Sequence, residues 1–423
     1  MTLFLPASSL LEPGDGPASQ RFVLASRQWL DLQTRIQAVL ALPSDMTEYQ
    51  QRYGDASSGL QMKECFDAMR TLRQSAEHYG SPSSLRAKLL QDPNFLAGTT
   101  RPRNDAFSAT IWTLQRAHND AFSLSSTLRT IPELSRQESP AGATAGIKSL
   151  FLDSGQVVDR MQDTITQLGQ LIAEFELLEA ALDDAQQRMR TFTERSSKTR
   201  TELDKEIGKL SKEVEQLEQA RDAAYSKWLG LTISACIVPA VIGIFGIALM
   251  VLLSVPTGGA SFAVGSAVTG AGVALSAAAL GTAAGIMRTR YDGLVQQVHD
   301  QKELMAKRVC YRSDLGALDT LMDFSLPASN GILQQLRGIQ KAWSTSAREL
   351  STQAAELTAD NLRSSIWLRE GEMLKAADGW RTLDDALRAF LVGSMVDARL
   401  FNFGASLPPD QADWQEKLLA KAA

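Results

Sequence analysis

The sequence predicts an all-α protein: an elongated helical bundle tail, a long coiled-coil neck, and a head with a central hydrophobic helical hairpin. Three observations carry this prediction. Leu, Ala, Gln, Glu, Lys and Arg, which are good helix formers, dominate long segments. No stretch of any length alternates apolar and polar residues as a half-buried strand would. Near the middle of the 423 residues, an interval from Trp228 to Met287 contains no Asp, Glu, Lys or Arg, while charge-rich helical sequence flanks it on both sides.

Residues 1–20 read as an irregular lead-in broken by Pro6, Pro13 and Pro17. From Arg21 to Leu42 the apolar residues Phe22, Trp29, Leu32, Ile36 and Val39 recur at helical spacing, and Pro43 ends the run. A second helix covers Gly59 to Tyr79, a short one lies among turn signals in 80–104, and 105–132 forms another. The small and polar residues of 134–146 (LSRQESPAGATAG) read as a linker. From about Gly155 to Lys227 there is no proline. Within this run Leu203, Ile207, Leu210, Val214 and Leu217 follow in steps of four and three, a heptad seam set among Glu and Lys that continues through Ala224 and Trp228. Some seventy helical residues span roughly 110 Å, so this helix must stand out as a stalk or lie along an equally long partner. The partner is downstream: Tyr291 to Met305 is polar and helical, and Leu315, Leu318, Leu321 and Phe324 extend the pattern to Pro327. A last long helix runs from Gly331 to about Phe401, with Gly371 and Gly379 as candidate breaks.

Composition narrows the function classes. The formal net charge is -5, with no basic tail and no arginine-rich block, so nucleic acid is not an expected partner. Cys65, Cys236 and Cys310 are too few and too scattered for a disulfide framework, and read as reduced thiols. The N-terminal MTLFLPASSLLEPGDG has no basic region and only a short apolar patch, so no cleavable signal peptide is expected. His78, His118 and His299 are isolated, which points away from a metal site. Trp343, Trp367, Trp380 and Trp414 read as core or groove residues. There is no phosphate-binding P-loop, no nucleophile elbow and no His-Glu-x-x-His, and TGAGVALSA (269–277) lacks the third glycine of a dinucleotide turn. No cofactor and no enzymatic activity are expected.

The charge-free interval carries the functional signal. About sixty residues without an ion stand out where roughly a quarter of an average chain is charged. PTGGA (256–260) divides it into two arms. The first, Trp228 to Val255, is dense in Leu, Ile, Val, Phe and Met; the second, Phe262 to Met287, is mostly Ala and Gly. Each is long enough to cross a hydrocarbon core of about 30 Å as a helix, with a kink or division at Pro239 in the first. At ~1.5–3 kcal/mol per large apolar side chain, leaving the first arm in water would cost tens of kcal/mol. The interval must fold on itself, be covered by the rest of the chain, or enter a membrane. Candidate membrane-inserting residues are Trp228, Leu231, Ile233, Ile237, Val241, Ile244, Phe245, Leu249, Leu252, Leu253, Pro256, Gly258, Gly259 and Phe262. The tip carries no ion, so it can cross lipid without the cost of about 2.5–3.5 kcal/mol per charged side chain. Lys227, Arg288 and Arg290 stand at the base, suited to anionic headgroups on the near side. In the second arm GTAAG (281–285) is a small-xxx-small pattern that favours close helix contact over lipid. The same features also fit a resident membrane scaffold whose hairpin inserts during synthesis, or a hairpin buried in a soluble helical core.

Coiled-coil flanks, a long stalk and a central uncharged hydrophobic hairpin resemble the α-helical pore-forming toxins of the cytolysin A superfamily, and within it the two-component alpha-xenorhabdolysin family and its larger A-type subunit. The resemblance implies a soluble monomer with a tail from about 1–150 and 311–423, a neck from about 151–227 and 288–310, and a head of 228–287. It further implies that the head opens at a target-cell lipid bilayer and that the subunit joins a smaller B-type subunit in a ring-shaped lytic pore. Such a cytotoxin would leave its producing cell as a soluble protein and act at the membrane of another. A type III secretion translocator, which also places a coiled coil before a hydrophobic hairpin, is the alternative from a different class.

Overall fold

The computed structural model describes residues 8–12, 21–40, 42–53, 62–136, 139–195, 201, 241–244, 247–253, 311, 326–393 and 396–402. The chain is all-α in class, with a few short strands. Among the described residues the α-helices are α1 (Arg27–Leu40), α2 (Met46–Tyr53), α3 (Met62–Glu77), α4 (Pro82–Gln91), α5 (Ala106–Ser135), α6 (Pro140–Leu152), α7 (Val157–Arg195), α8 (Leu326–Glu356) and α9 (Glu370–Gly393). Strands β1 (Leu11–Glu12) and β2 (Arg21–Phe22) pair antiparallel. So do β3 (Val241–Ile244), β4 (Ile247–Leu253) and β5 (Val396–Asn402), in that order across one sheet.

Helix α5 is the centre of the bundle. Its first residues, Ala106 through Leu114, are buried on every side, and Leu124, Leu128 and Ile131 continue the buried face. It runs antiparallel to α9: His118 meets Asp384, the Ser125 hydroxyl donates to the Ala377 carbonyl at 2.9 Å, and Arg136 pairs with Glu370. It is also antiparallel to α7, where Arg101 grips Glu174 through two bonds of 2.7 and 2.6 Å and the Thr164 hydroxyl donates to Asp120 at 2.7 Å. Helix α8 in turn lies antiparallel along α7, with Gln340 reaching the Ile165 carbonyl and Arg337 pairing with Glu176. Aromatic contacts tie the layers together. Trp29 of α1 lies 5.7 Å from Phe107 and 5.6 Å from Phe390, and Trp343 of α8 meets Trp380 of α9 edge-on at 5.6 Å. These tryptophans are core residues, as the sequence predicts; Trp414 lies outside the described residues.

One glycine lies under the far end of a flexible side chain. A Cβ on Gly331 would stand 2.5 Å from the Gln28 side chain, where α1 crosses α8. A second glycine, Gly80, has φ +78, in the left-handed region that favours glycine, and its α-carbon faces the carboxylate of Asp105. Asp105 is the N-cap of α5, accepting from the Ser108 amide at 2.9 Å, and it also receives the Ser84 hydroxyl at 2.9 Å and pairs with Lys88 of α4. One buried carboxylate thus orients the central helix and fixes α4 beside it.

Several boundaries differ from the sequence reading. The linker expected at 134–146 is mostly helix α6: Ser139 caps it by accepting from the Gly142 amide, and Pro140 occupies its first position. The polar and proline residues that suggest a loop are here a helix-start signal. Residues 21–22 belong to β2, so the first helix starts at Arg27. The helix expected from Gly331 to Phe401 begins at Leu326, with Pro327 in its first turn, and stops at Glu356. There the Asn361 side chain donates to the Glu356 carbonyl at 3.0 Å and accepts from the Thr358 amide at 2.7 Å, a local network that replaces the helical ladder. The break therefore precedes Gly371, and Gly379 lies inside α9.

Candidate membrane-active segment

Helix α7 carries the chain from the bundle toward the charge-free interval. Its 39 residues amount to about 58 Å of helix, and Met189 and Phe192 are still buried near its end. Downstream of the interval, Tyr311 has its ring buried 5.2 Å from Tyr53 and 6.1 Å from Tyr49. Burial, and then the neighbouring Cys65 and Tyr311, push the Tyr49 hydroxyl far above its ordinary range, so this hydroxyl is neutral at any physiological pH. The Cys65 thiol is buried and reduced, as the sequence predicts.

Part of the first arm is placed, and it is not helical. Val241–Ile244 and Ile247–Leu253 form antiparallel strands two residues apart, with Ile242 opposite Leu249 and Ile244 opposite Ile247. This corrects the expectation of a helical first arm over these residues. The cause lies in the sequence VIGIFGIALMVLL: Val and Ile favour strand, Gly243 and Gly246 weaken a helix, and a continuously apolar run has no periodicity to distinguish the two.

Reading the sequence also missed β5. Its residues pair with β4 from Ile247 opposite Asn402 to Leu253 opposite Val396. The register sets Leu253 opposite Val396, Val251 opposite Ala398 and Leu249 opposite Leu400, with Asp397 opposite Leu252 and Arg399 opposite Met250. The signal was present in VDARLFN, where apolar and charged residues alternate over five positions, too short a run to outweigh the helical pattern before it. Strands β4 and β5 run beside α1, and β5 also runs beside α4, so the sheet lies against the bundle.

Of the candidate insertion residues, the sheet therefore contains Val241, Ile244, Leu249, Leu252 and Leu253. Trp228, Leu231, Ile233, Ile237, Phe245, Pro256, Gly258, Gly259 and Phe262 lie outside the described residues, as do the base cations Lys227, Arg288 and Arg290, the seam residues Leu203, Ile207, Leu210, Val214 and Leu217, and Cys236 and Cys310. Among the described residues no helix is long and apolar enough to cross a membrane, and no group of His, Cys, Asp and Glu could hold a metal ion.

No family model and no curated protein matches the sequence. Among the solved structures that align with most of the chain are components of toxins. The Bacillus cereus HblL1 toxin component is 16% identical, with 87% of this chain and 93% of that one covered at a TM-score of 0.38. Soluble SmhA of the tripartite α-pore-forming toxin Smh from Serratia marcescens is 13% identical over 87% and 91%, at 0.41. Soluble AhlB of the tripartite α-pore-forming toxin AHL from Aeromonas hydrophila is 14% identical over 94% and 98%, at 0.31. All three TM-scores are below 0.5, and the functional reading stands on this chain's own residues.

Proposed function

We propose that this chain is a subunit of an α-pore-forming toxin, a soluble protein that binds a target-cell membrane through the interval 228–287 and oligomerises into a lytic pore, without enzymatic chemistry. One observation supports the reading above others: a charge-free apolar interval whose Val241–Leu253 part is paired with a strand from the chain's own C-terminal region, against a helical bundle. An apolar segment with a place to rest on its own bundle has two states available, and burial of its apolar surface in lipid or in subunit interfaces supplies the free energy for the second.

In this proposal 1–150 and 311–423 form the tail, 151–227 and 288–310 the neck, and 228–287 the head. The Leu- and Ile-rich arm turns to lipid and the Ala- and Gly-rich arm to neighbouring helices, in a ring shared with a smaller B-type subunit. Lys227, Arg288 and Arg290 stay at the headgroups on the near side.

The test is charge at the tip. Gly258→Asp and Gly259→Lys should abolish release of dye from lipid vesicles, measured with and without the partner subunit, while the circular dichroism spectrum and unfolding midpoint stay those of the parent. Release equal to the parent's would refute tip insertion. Expression without detergent separates the other readings: partition of all the protein into membranes during synthesis indicates a resident scaffold.

A further inference from the structure

The end of the bundle where α5 stops and α8 hands over to α9 holds a cavity of about 350 Å³. Three arginines line it, Arg136 at the C-cap of α5 and Arg363 and Arg369 in the connector 357–369. Leu362 and Leu368, both buried, also line it, and no carboxylate does. Arg136 is neutralised by Glu370. Arg363 and Arg369 have no carboxylate partner among the described residues, although both line the same hollow.

The connector is fixed rather than loose in its bonding. Thr358 and Asn361 exchange amide and side-chain bonds of 2.7 and 3.2 Å, the Ser365 amide and hydroxyl both donate to the Asn361 carbonyl, and the Arg369 amide donates to the Ile366 carbonyl at 3.2 Å. The backbone that presents Arg363 and Arg369 is therefore set before any ligand arrives, which lowers the ordering cost of binding. The ordinary account of exposed arginines is a solvated surface with carboxylates among them. Here Glu370 is already engaged with Arg136, and Arg363 and Arg369 share one concavity whose lining offers no carboxylate. The Ser135 and Ser365 hydroxyls spend their protons on backbone carbonyls, so the guanidinium groups are the donors on offer. A guanidinium fork matches the geometry of a phosphate or similar oxyanion better than that of a single carbonyl.

We infer that this cavity binds a phosphate monoester group, held by Arg363 and Arg369 with Arg136 at its edge. The hollow has room for a substituent on the phosphate. Beside the cavity and sharing Ser365 with it, a second hollow is lined by Leu357, Ile366 and Trp367, and Ile366 is 61% exposed. A phosphate on a small soluble molecule and the headgroup of an anionic lipid share this chemistry. The inference does not depend on pore formation.

The experiment uses the full chain and an R363Q/R369Q double variant, both checked for equal unfolding midpoints; the two side chains are exposed, so the fold should survive. Glycerol 3-phosphate and inorganic phosphate are titrated by calorimetry, and phosphatidylcholine vesicles with or without phosphatidic acid are sedimented with each protein. The expected result is one saturable site, weakened at least tenfold in the double variant and by added salt. If glycerol 3-phosphate binds and phosphatidic acid brings no arginine-dependent recruitment, the source is a soluble phosphate ester. If recruitment rises with phosphatidic acid and falls in the variant, the source is the headgroup. Should neither probe bind, or should the variant bind both as well as the parent, the site does not exist. A protein that loses vesicle leakage through a tip mutation but keeps glycerol 3-phosphate binding separates this inference from the pore-forming one.

Discussion

Leu249 of β4 stands directly opposite Leu400 of β5, so a strand inside the charge-free interval is paired with one from the C-terminal part of the chain. That pairing offers a way to hold the interval in its resting place. In antiparallel sheets opposed α-carbons lie about 4.5–5.5 Å apart, within the range a disulfide spans. A Leu249→Cys/Leu400→Cys protein, with the native cysteines replaced, should therefore cross-link on oxidation. If β4 must leave β5 for the membrane, the oxidised protein releases no vesicle dye and dithiothreitol restores release. Full activity while oxidised would mean that this strand pair persists in the pore.

Asp120 makes the core sensitive to pH. It is buried between α5 and α7, and burial pushes its carboxyl up to about 6, with the Thr164 hydroxyl bond and the charge of Arg160 pulling the other way and Asp163 adding to the rise. The folded pKa is above the unfolded one, so the folded state holds the extra proton between about pH 4 and 6, and stability falls as pH rises through that window. Asp120→Asn, which can still accept from Thr164, should abolish this fall. At pH 8 the variant should match or exceed the parent by on the order of 2–3 kcal/mol. Urea unfolding of both proteins at pH 4 and pH 8 gives the comparison, and an unchanged pH slope in the variant would assign the dependence elsewhere.

The contact between Gly80 and Asp105 predicts a site intolerant of any side chain. A Cβ on Gly80 would come within 2.0 Å of the Asp105 carboxylate, and the positive φ adds strain of its own. Gly80→Ala should cost at least as much stability as Asp105→Ala, which loses the α5 cap and the Lys88 and Ser84 contacts, about 2–3 kcal/mol. Thermal unfolding of the two single variants and the double variant should show strong non-additivity, because both act on one contact. Additive losses would mean that the two residues act separately.

His118 and Asp384 join α5 to α9. The imidazole Nδ1 is 2.7 Å from a carboxylate oxygen that is almost fully buried. Burial pushes the Asp384 carboxyl up, while His118 and Arg381 pull it down. Replacing His118 with Ala leaves Arg381, 3.2 Å from the other oxygen, as the ion-pair partner of that carboxylate among the described residues. The expected loss is about 1–3 kcal/mol by urea unfolding. Asp384→Asn should reduce the effect of the His118 substitution, and equal losses in both backgrounds would show that the imidazole acts through packing alone.

How much was legible in the sequence differs from one element to the next. Helices α3 and α5 are legible within a few residues, as are the end of α1 and the start of α7, because each repeats apolar side chains at helical spacing over several turns, and so is the core role of Trp343, Trp367 and Trp380. Helix α6 was hidden because Ser139 and Pro140 open a helix with the residue types that also build loops. The end of α8 at Glu356 depends on Thr358 and Asn361 finding each other, which no periodicity announces.

The charge-free interval, its boundaries at Lys227 and Arg288, and the all-α class were determined by sequence alone, since composition fixes what a segment can and cannot leave in water. Only the tertiary structure decided that Val241–Leu253 is strand, that β5 completes the sheet, and that Arg136, Arg363 and Arg369 share a cavity. The physical reason is common to all three. Each depends on residues far apart in the chain, and local propensity cannot encode a partner that is brought near only when the helices pack.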